Sequence, residues 1–262
     1  MTLNRGNNTN MRQILAVLNQ KGGVGKTTTA INLGAYMAKD GKNVLVVDFD
    51  PQGNATSGLG IDKNKLSATV YDVMFKRAGV EHAIQETSVN GLYILPANPN
   101  LAAAEVELVS ELQREQILKD VLAPLSYDVI IIDCPPSLGL LTVNALTAAN
   151  HLLIPVQAEY YALEGLSQLL STVQRVRAGL NPGLDLLGVV VTMYDGRTSL
   201  SDQVYQELNK HFGDKVMKTI IPRNVRLAEA PSHGKPIADH DKWSKGARAY
   251  KALSKEILRR IK

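Results

Sequence analysis

One stretch decides the fold of this chain: Ile14-Leu15-Ala16-Val17-Leu18-Asn19-Gln20-Lys21-Gly22-Gly23-Val24-Gly25-Lys26-Thr27-Thr28. It begins with an apolar run typical of a buried β-strand, continues into three glycines and ends where helix-forming sequence begins. A backbone that turns sharply from a strand into a helix, with its amides converging on phosphate oxygens, needs residues without a Cβ. The helix N-terminus adds amide groups and the positive end of its dipole. The stretch therefore predicts a phosphate-binding loop.

Two side chains of this loop suit a nucleoside triphosphate with its metal. The Lys26 ammonium can reach the β- and γ-phosphates as a point charge, and the Thr27 hydroxyl can enter an octahedral Mg²⁺ shell. We therefore predict ATP and Mg²⁺ as ligands. The predicted ATP-contacting residues of the loop are Lys21, Gly22, Gly23, Val24, Gly25, Lys26, Thr27 and Thr28.

Around the loop, short β-branched runs alternate with longer segments of helical periodicity, which predicts parallel strands joined by crossover helices. Strands are predicted at Ile14–Leu18, Val44–Asp48, Leu92–Pro96, Val129–Asp133, Leu152–Val156, Leu187–Met193 and Val216–Ile221. Helices are predicted at Thr27–Lys39, Leu101–Val109, Arg114–Leu122, Leu138–Ala149, Leu163–Ala178, Ser199–Phe212 and Ala247–Ile261. The predicted fold class is α/β, a doubly wound, mostly parallel twisted sheet with helices on both faces, as in P-loop nucleoside triphosphatases.

The composition fits one compact domain. The chain has 262 residues, of which 45% are hydrophobic and 21% charged, without a proline-rich linker, repeat or low-complexity block. We predict a disordered tail at residues 1–10 and a single ATPase domain at residues 11–262. We find no secretion leader and no apolar run near the roughly 18 residues of a membrane span, and the single cysteine, Cys134, forms no internal disulfide. These features favour the cytoplasm.

Acidic residues are predicted at the ends of two strands. The second strand leads into the stretch Asp48-Phe49-Asp50-Pro51-Gln52-Gly53-Asn54. Two carboxylates at the end of a buried strand need a cation or hydrogen-bond donors nearby. Val129-Ile130-Ile131-Ile132-Asp133 is an apolar strand ending in a carboxylate, the Walker B pattern. In that pattern Asp133 holds Mg²⁺ through water.

The loop departs from the ordinary P-loop pattern, because Gln20 stands where a glycine is expected and a second lysine, Lys21, opens the loop. This K-G-G-x-G-K-[ST] form resembles the deviant Walker A family, which includes the ParA/Soj partitioning ATPases, MinD, the nitrogenase iron protein and the arsenite-pump ATPase. The resemblance implies that Lys21 crosses a nucleotide-sandwich dimer to the phosphates of the other subunit. It also implies that Asp50 orients the attacking water, so the predicted catalytic residues are Lys21, Lys26 and Asp50.

Three further stretches resemble the partitioning branch of this family. They are Leu18-Asn19-Gln20, Pro155-Val156-Gln157-Ala158-Glu159-Tyr160-Tyr161-Ala162-Leu163-Glu164-Gly165 and Ile221-Pro222-Arg223-Asn224-Val225-Arg226-Leu227-Ala228-Glu229-Ala230-Pro231-Ser232-His233-Gly234-Lys235-Pro236. One cysteine per chain cannot supply half of a shared four-cysteine cluster, which excludes the nitrogenase iron protein. By the resemblance, Met193, Pro222 and Asn224 flank the adenine.

The C-terminal part of the chain is basic, with 14 Lys and Arg against 5 Asp and Glu from Lys210 to Lys262. The resemblance implies that the ATP-bound dimer binds double-stranded DNA without reading its sequence, and that a ParB-type centromere-binding protein stimulates a slow hydrolysis that releases it. Few aromatic residues accompany the cations, so contact with backbone phosphates is predicted over base stacking. The predicted DNA-binding residues are Arg197, Arg223, Arg226, Lys242, Lys245 and Arg248.

Two alternatives share every nucleotide motif: a MinD-like, membrane-associated spatial regulator, and a DNA-independent ATPase that positions a protein cargo. Residues 247–262 have apolar positions at helical spacing with cations between them, as membrane-surface helices do, but they include one aromatic residue, Tyr250. We therefore predict that this helix packs on the sheet and that the protein has no membrane partner. The predicted location is the cytoplasm, on the nucleoid.

Overall fold

The structure, a computed structural model, describes residues 12–159 and 164–261, so the predicted tail at residues 1–10 lies outside the described residues. The described strands form one seven-stranded sheet in the order β3-β4-β2-β5-β1-β6-β7. The strands are β1 (Gln13–Val17), β2 (Val44–Asp48), β3 (Gln85–Glu86), β4 (Leu92–Leu95), β5 (Val129–Asp133), β6 (His151–Gln157) and β7 (Asp185–Thr192).

Helices cover both faces of this sheet. The α-helices are α1 (Lys26–Lys39), α2 (Asn54–Gly58), α3 (Val70–Met74), α4 (Val80–Ala83), α5 (Ala104–Glu107), α6 (Ile117–Leu122), α7 (Leu140–Ala148), α8 (Glu164–Gly179), α9 (Ser199–Phe212), α10 (Val225–Glu229), α11 (Ile237–His240) and α12 (Lys245–Arg260). Short 3₁₀ helices lie at Pro99–Ala103, Leu108–Ser110, Gly213–Lys215 and Ala230–His233.

Alternate residues of the central strands belong to two separate hydrophobic cores. Ile14 and Ala16 of β1 pack in one core with α3 and α5 to α9, and Leu15 and Val17 pack in the other with α1 and α10 to α12. Every described strand pair is parallel except β3 with β4. A parallel sheet needs both faces covered, which explains strands that are apolar throughout. The predicted doubly wound α/β fold is confirmed.

The predicted strand at Val216–Ile221 is wrong. This segment makes an isolated bridge from Val216 to Val189, and a second bridge joins Pro222 to Tyr194. Between them, the N–H groups of Lys218 and Thr219 donate to the Glu256 carboxylate of α12, at 2.8 and 2.9 Å. Because a side chain takes these donors, the segment runs beside β7 without forming a continuous ladder.

Several short elements were not predicted from the sequence. The antiparallel strand β3 and the helices α2, α3, α4, α10 and α11 are each too short for periodicity to reveal. The helix predicted at Leu101–Val109 is divided into two 3₁₀ turns and the short α5.

The C-terminal helix α12 packs as predicted. Tyr250, Leu253 and Ile257 are buried in the core that contains α1, and the Tyr250 hydroxyl lies 3.1 Å from the Thr29 hydroxyl of α1. Its apolar face is therefore covered by protein. None of the described helices has the length and apolar character needed to cross a membrane.

Candidate nucleotide site

The site is assembled at the carboxyl ends of three adjacent strands. Asp133, the last residue of β5, is in register with Val17 of β1 on one side and with Asp48 of β2 on the other. The carboxyl ends of parallel strands meet at one edge of the sheet, where open α/β folds bind their ligands. The phosphate loop after β1 and the carboxylates after β2 and β5 are thus brought together.

The phosphate loop has the open shape that a phosphate group needs. Gly23 and Gly25 have positive φ angles of 76° and 88°, which residues with a side chain rarely adopt. A Cβ added at Gly22 or Gly23 would meet nothing within 4 Å, so open space lies beside these amides. The Thr192 hydroxyl donates to the Val24 carbonyl at 2.8 Å and fixes the loop to β7. The loop therefore fits a phosphate group.

Lys26 begins α1 and points into the site. It is buried, with 7% of its surface exposed, and its ammonium donates to the Lys21 carbonyl at 3.0 Å. Burial lowers the pKa of Lys26, and the nearby charge of Asp133 opposes this shift. A carbonyl is a weak partner for a buried ammonium, so the group keeps donors for an anionic ligand.

Asp133 is fully buried, with little to compensate its charge. Neither oxygen of its carboxylate has a hydrogen-bond partner among the described residues. Burial, followed by the charge of Asp48, raises its pKa well above the usual value, and the neighbouring Thr27 side chain offsets part of the rise. A buried carboxylate that faces the phosphate loop and accepts no hydrogen bond from any described residue fits a site for hydrated Mg²⁺, and the neighbouring Thr27 is the second residue of the helix that Lys26 begins.

Asp48 differs from Asp133 in being hydrogen-bonded. One oxygen accepts bonds from the Thr56 amide and hydroxyl, at 2.8 and 2.7 Å. Burial still raises the pKa of Asp48 to about 6. The partners come from α2, which packs at the same edge of the sheet, so Asp48 holds the following loop in place.

Asp50 lies on this loop with 7% of its surface exposed. One of its oxygens accepts the Gln52 amide at 2.9 Å. Gly53 closes the turn at φ 63°, where an added Cβ would lie 2.9 Å from the Ala97 carbonyl oxygen. The turn needs glycine at this position for both reasons, and it presents Asp50 beside Lys26, whose pKa its charge affects.

Lys21 is exposed at the rim of the loop. Its ammonium pairs with the carboxylate of Glu159, two residues after β6, and its amide donates to the Asn19 side chain at 3.0 Å. The Asn19 amide group in turn donates to the Pro155 carbonyl at 2.7 Å. Part of the second partitioning-type stretch, residues 160–163, lies outside the described residues.

A cavity of about 390 Å³ adjoins the phosphate loop. Met193, Pro222 and Asn224, the residues predicted to flank the adenine, all line it together with Gly25 and Thr28. Asn224 caps α10 by accepting the Arg226 amide at 3.0 Å. The remaining lining residues are Thr192, Ile221, Arg223, Val225, Leu227, Ala228 and Tyr250.

Sequence analysis missed Glu105, which anchors the loop after Asp133. Its carboxylate accepts the amides of Leu140 and Leu141 at 2.9 and 3.3 Å, at the start of α7. A Cβ at Gly139 would lie 2.5 Å from a Glu105 oxygen, so a larger residue there would displace the carboxylate. The sequence did hold one signal for such an anchor: Gly139, the residue that flanks the start of α7, has no side chain to cap the helix. The first amides of α7 therefore need an acceptor from elsewhere.

The residues predicted to bind DNA are all exposed, but two of them are ion-paired. Arg197 makes a bidentate contact with Asp195 at 2.9 and 2.7 Å, and Arg226 contacts Glu229 at 2.8 Å and Asp241 at 3.6 Å. In the described part of the chain, no ion pair involves Arg223, Lys245 or Arg248. No group of three or more His, Cys, Asp or Glu residues in that part of the chain could hold a metal ion.

Comparison with known proteins gives the family. A family model described as "AAA domain" matches residues 12–186. The sporulation initiation inhibitor protein Soj of Bacillus subtilis is 58% identical over 249 residues, covering 94% of this chain and 98% of that protein. The chromosome-partitioning ATPase Soj of Treponema pallidum is 54% identical over 252 residues, covering 95% and 98%.

A similar protein of known structure has been solved with a nucleotide and magnesium bound. Cobyrinic acid a,c-diamide synthase from Mycobacterium smegmatis, with bound ADP and magnesium, has a TM-score of 0.84 and 41% identity, covering 95% of each chain. The same protein is also known with an ATP analogue and magnesium. The chain therefore binds ATP with Mg²⁺ and hydrolyses it, and it belongs to the Soj/ParA family of chromosome-partitioning ATPases.

Proposed function

We propose that the ATP-bound form of this chain is a dimer that binds double-stranded DNA without reading its sequence. Hydrolysis, stimulated by a ParB-type centromere-binding protein, releases the DNA. Residues 11–262 act as one ATPase domain, and the protein works in the cytoplasm on the nucleoid. Family membership supports the dimer and the ParB-type partner, and the arrangement of the site supports the coupling to DNA.

The geometry of the site and family membership support the proposed residue roles. The amides of residues 22–28 and the Lys26 ammonium bind the phosphates, and Asp50 holds the attacking water in line with the γ-phosphate. Thr27, and Asp133 through water, would hold Mg²⁺, which neutralises charge on the phosphates when bound. Met193, Pro222 and Asn224 enclose the adenine.

Lys21 supports the dimer because of where it lies. It is at the exposed rim of the loop, and its present partner Glu159 is also on the surface. An exposed ion pair is worth little, on the order of 0–1 kcal/mol, so a phosphate of a second subunit would compete well for this ammonium. Lys21 is therefore suited to act across the interface.

One observation carries the coupling between ATP and DNA: the segment 221–228 belongs to both sites. Pro222 and Asn224 line the nucleotide cavity, while Arg223 and Arg226 of the same segment are exposed. A nucleotide that orders this segment also positions its arginines. Two such patches in one dimer would bind one DNA molecule with an avidity that a monomer lacks.

The ion pairs decide which cations make the cleanest test. Arg226 and Arg197 must give up carboxylate partners to contact phosphate, whereas Lys245 and Arg248, exposed at the start of α12, make no ion pair with any described residue. Replacing Lys245 and Arg248 with alanine removes charge and leaves the nucleotide cavity intact. Lys119→Ala is the matched control, because Lys119 is exposed on α6, in the layer on the opposite face of the sheet.

The experiment measures duplex DNA binding with ATP, ADP and no nucleotide across a range of salt concentrations. We expect DNA binding with ATP but not with ADP or without nucleotide. A plot of the logarithm of the DNA affinity against the logarithm of the salt concentration should have a slope of about −0.9 for each phosphate contacted. The double variant should bind more weakly with a flatter slope while forming the ATP dimer normally, and Lys119→Ala should behave as wild type. Equal affinity and slope in the double variant would place the DNA site elsewhere.

A membrane-associated function has less support. The apolar residues of α12 that could insert into lipid are buried against α1. Sedimentation with anionic liposomes in the presence of ATP is the direct check, and co-sedimentation without DNA binding would favour the MinD-like alternative. Binding to neither would favour an ATPase that positions a protein cargo.

A further inference from the structure

The single tryptophan of the chain, Trp243, is on the surface with 76% of its area exposed. Tryptophan is a large apolar side chain with one polar N–H, and it is usually highly buried. Tyr250, an aromatic residue of the same basic segment, is buried in α12. The exposure of Trp243 therefore calls for a partner outside the described fold.

The turn that carries Trp243 is well ordered by hydrogen bonds. The Trp243 amide donates to the Asp241 carboxylate at 3.1 Å, and the Ser244 hydroxyl donates to the Asp241 carbonyl at 2.9 Å. The same hydroxyl accepts the Ala247 amide at 3.1 Å and so caps α12. The indole is thus presented at a defined position in front of the helix.

One cation lies against this indole, and a second is linked to its turn. The Lys242 ammonium lies 5.2 Å from the ring centroid, in a cation–π contact. Asp241, which holds the turn, also contacts Arg226 of α10 at 3.6 Å. These contacts place the indole in the same neighbourhood as Arg226.

The start of α12 belongs to this surface as well. Leu227 of α10 packs so closely on Gly246 that a Cβ there would lie 2.6 Å from the leucine side chain. Lys245, next to Gly246, and Arg248 one turn further are exposed. These contacts define one surface, which we call the Trp243 surface. It consists of Trp243, Lys242, Arg226, Lys245 and Arg248.

We propose that Trp243 makes a direct apolar contact with duplex DNA, packing against the sugars or bases of a groove while the neighbouring cations neutralise phosphates. This proposal rests on the proposed function, and it adds a contact that is not electrostatic. Cations around an exposed aromatic ring match a polyanion that also presents apolar surface. A lipid surface fits less well, because its binding takes several bulky apolar side chains, and the chain neighbours of Trp243 are Lys242 and Ser244.

Because Trp243 is the only tryptophan, its fluorescence reports on this surface alone. With Mg²⁺ and ATP present, we expect mixed-sequence duplex DNA to change the emission and protect the ring from acrylamide quenching. The change should saturate at the same DNA concentration as binding measured independently by anisotropy of labelled DNA. Absence of any emission change while the DNA binds would overturn the proposal.

Variants separate the apolar contact from charge. Trp243→Ala should weaken DNA binding at least fivefold, in line with the loss on removing a stacked aromatic side chain, and it should leave the salt slope unchanged. Lys245→Ala should flatten that slope, and Trp243→Phe should recover part of the affinity. Leu112→Ala is the control, because Leu112 is 92% exposed and lies far from this surface in sequence.

The outcomes distinguish this proposal from the one on which it rests. Wild-type protein that binds no DNA with ATP would refute the proposed function and this contact together. Wild-type binding matched by Trp243→Ala would refute this contact alone, provided that both proteins show the same basal ATP turnover without DNA. An emission shift with anionic vesicles but none with DNA would assign the Trp243 surface to lipid.

Discussion

Replacing Asp133 with asparagine should stabilise the nucleotide-free protein while damaging its function. The carboxylate is buried with neither oxygen hydrogen-bonded among the described residues. A buried, unpaired carboxylate costs more than a buried, unpaired asparagine amide because it is charged, and we take the difference as about 1–3 kcal/mol. A gain of that size raises Tm by about 2–4 °C per kcal/mol in a domain of this length, so the variant should melt roughly 2–10 °C higher.

The gain should depend on pH in a defined direction. Burial and Asp48 raise the pKa of Asp133 above its usual 3.8, so the folded protein holds this proton more tightly than the unfolded chain does. Between those two pKa values, the wild-type protein loses stability as the pH rises. Asparagine does not titrate. The difference in Tm between Asp133→Asn and wild type should therefore be small near pH 4 to 5 and grow towards pH 8.

The assay is thermal unfolding in EDTA from pH 5 to 8, repeated with Mg²⁺ and ATP. Ligand binding should stabilise wild type more than the variant, whose ATP turnover should fall about 10- to 100-fold. Asp128→Asn is the matched control, since Asp128 precedes the same strand and its carboxylate accepts the Asn43 amide at 2.8 Å. An Asp133→Asn protein that melts at or below the wild-type temperature at pH 8 would refute the reasoning.

Three further predictions concern other residues of the site. Asp50→Ala should bind ATP and accumulate as a dimer, and its hydrolysis should be at least about 100-fold slower than that of wild type. Turnover near wild type would remove Asp50 from the catalytic role. Lys21→Ala should weaken ATP-driven dimerisation, seen by light scattering, more than calorimetric binding of ATP to the monomer, whereas Lys26→Ala should weaken both. Glu105→Ala should destabilise the protein by about 0.5–2 kcal/mol in urea unfolding, because two amides at the start of α7 lose their acceptor. Glu105→Gln should lie between it and wild type, and equal stability of all three would show that water replaces the carboxylate.

The parts of the site that the sequence predicted are those with local causes. The glycines of the phosphate loop, the strand ending in Asp133 and the turn after Asp48 each result from a few adjacent residues, and the parallel topology brings them to one edge. Contacts between distant residues were not predictable. The partner of Lys21 is Glu159, 138 positions away, and the acceptor for Leu140 is Glu105, 35 positions earlier.

The wrongly predicted strand at Val216–Ile221 is also explained by a contact between distant residues. Val216–Ile221 has the apolar character of a strand, and two of its amides do donate to β7, those of Met217 and Ile221. Glu256 takes the donors between them. A carboxylate on a helix some 40 positions later decides this outcome, and nothing in the segment's own sequence indicates it.

The contact between Thr29 and Tyr250 has a consequence for biosynthesis. The phosphate loop leaves the ribosome early, but Tyr250, which lines the nucleotide cavity, is made 221 residues after Thr29. A nascent chain with its loop already exposed would thus have a cavity without this wall until α12 emerges and docks on α1. Full-affinity nucleotide capture should therefore follow completion of that helix.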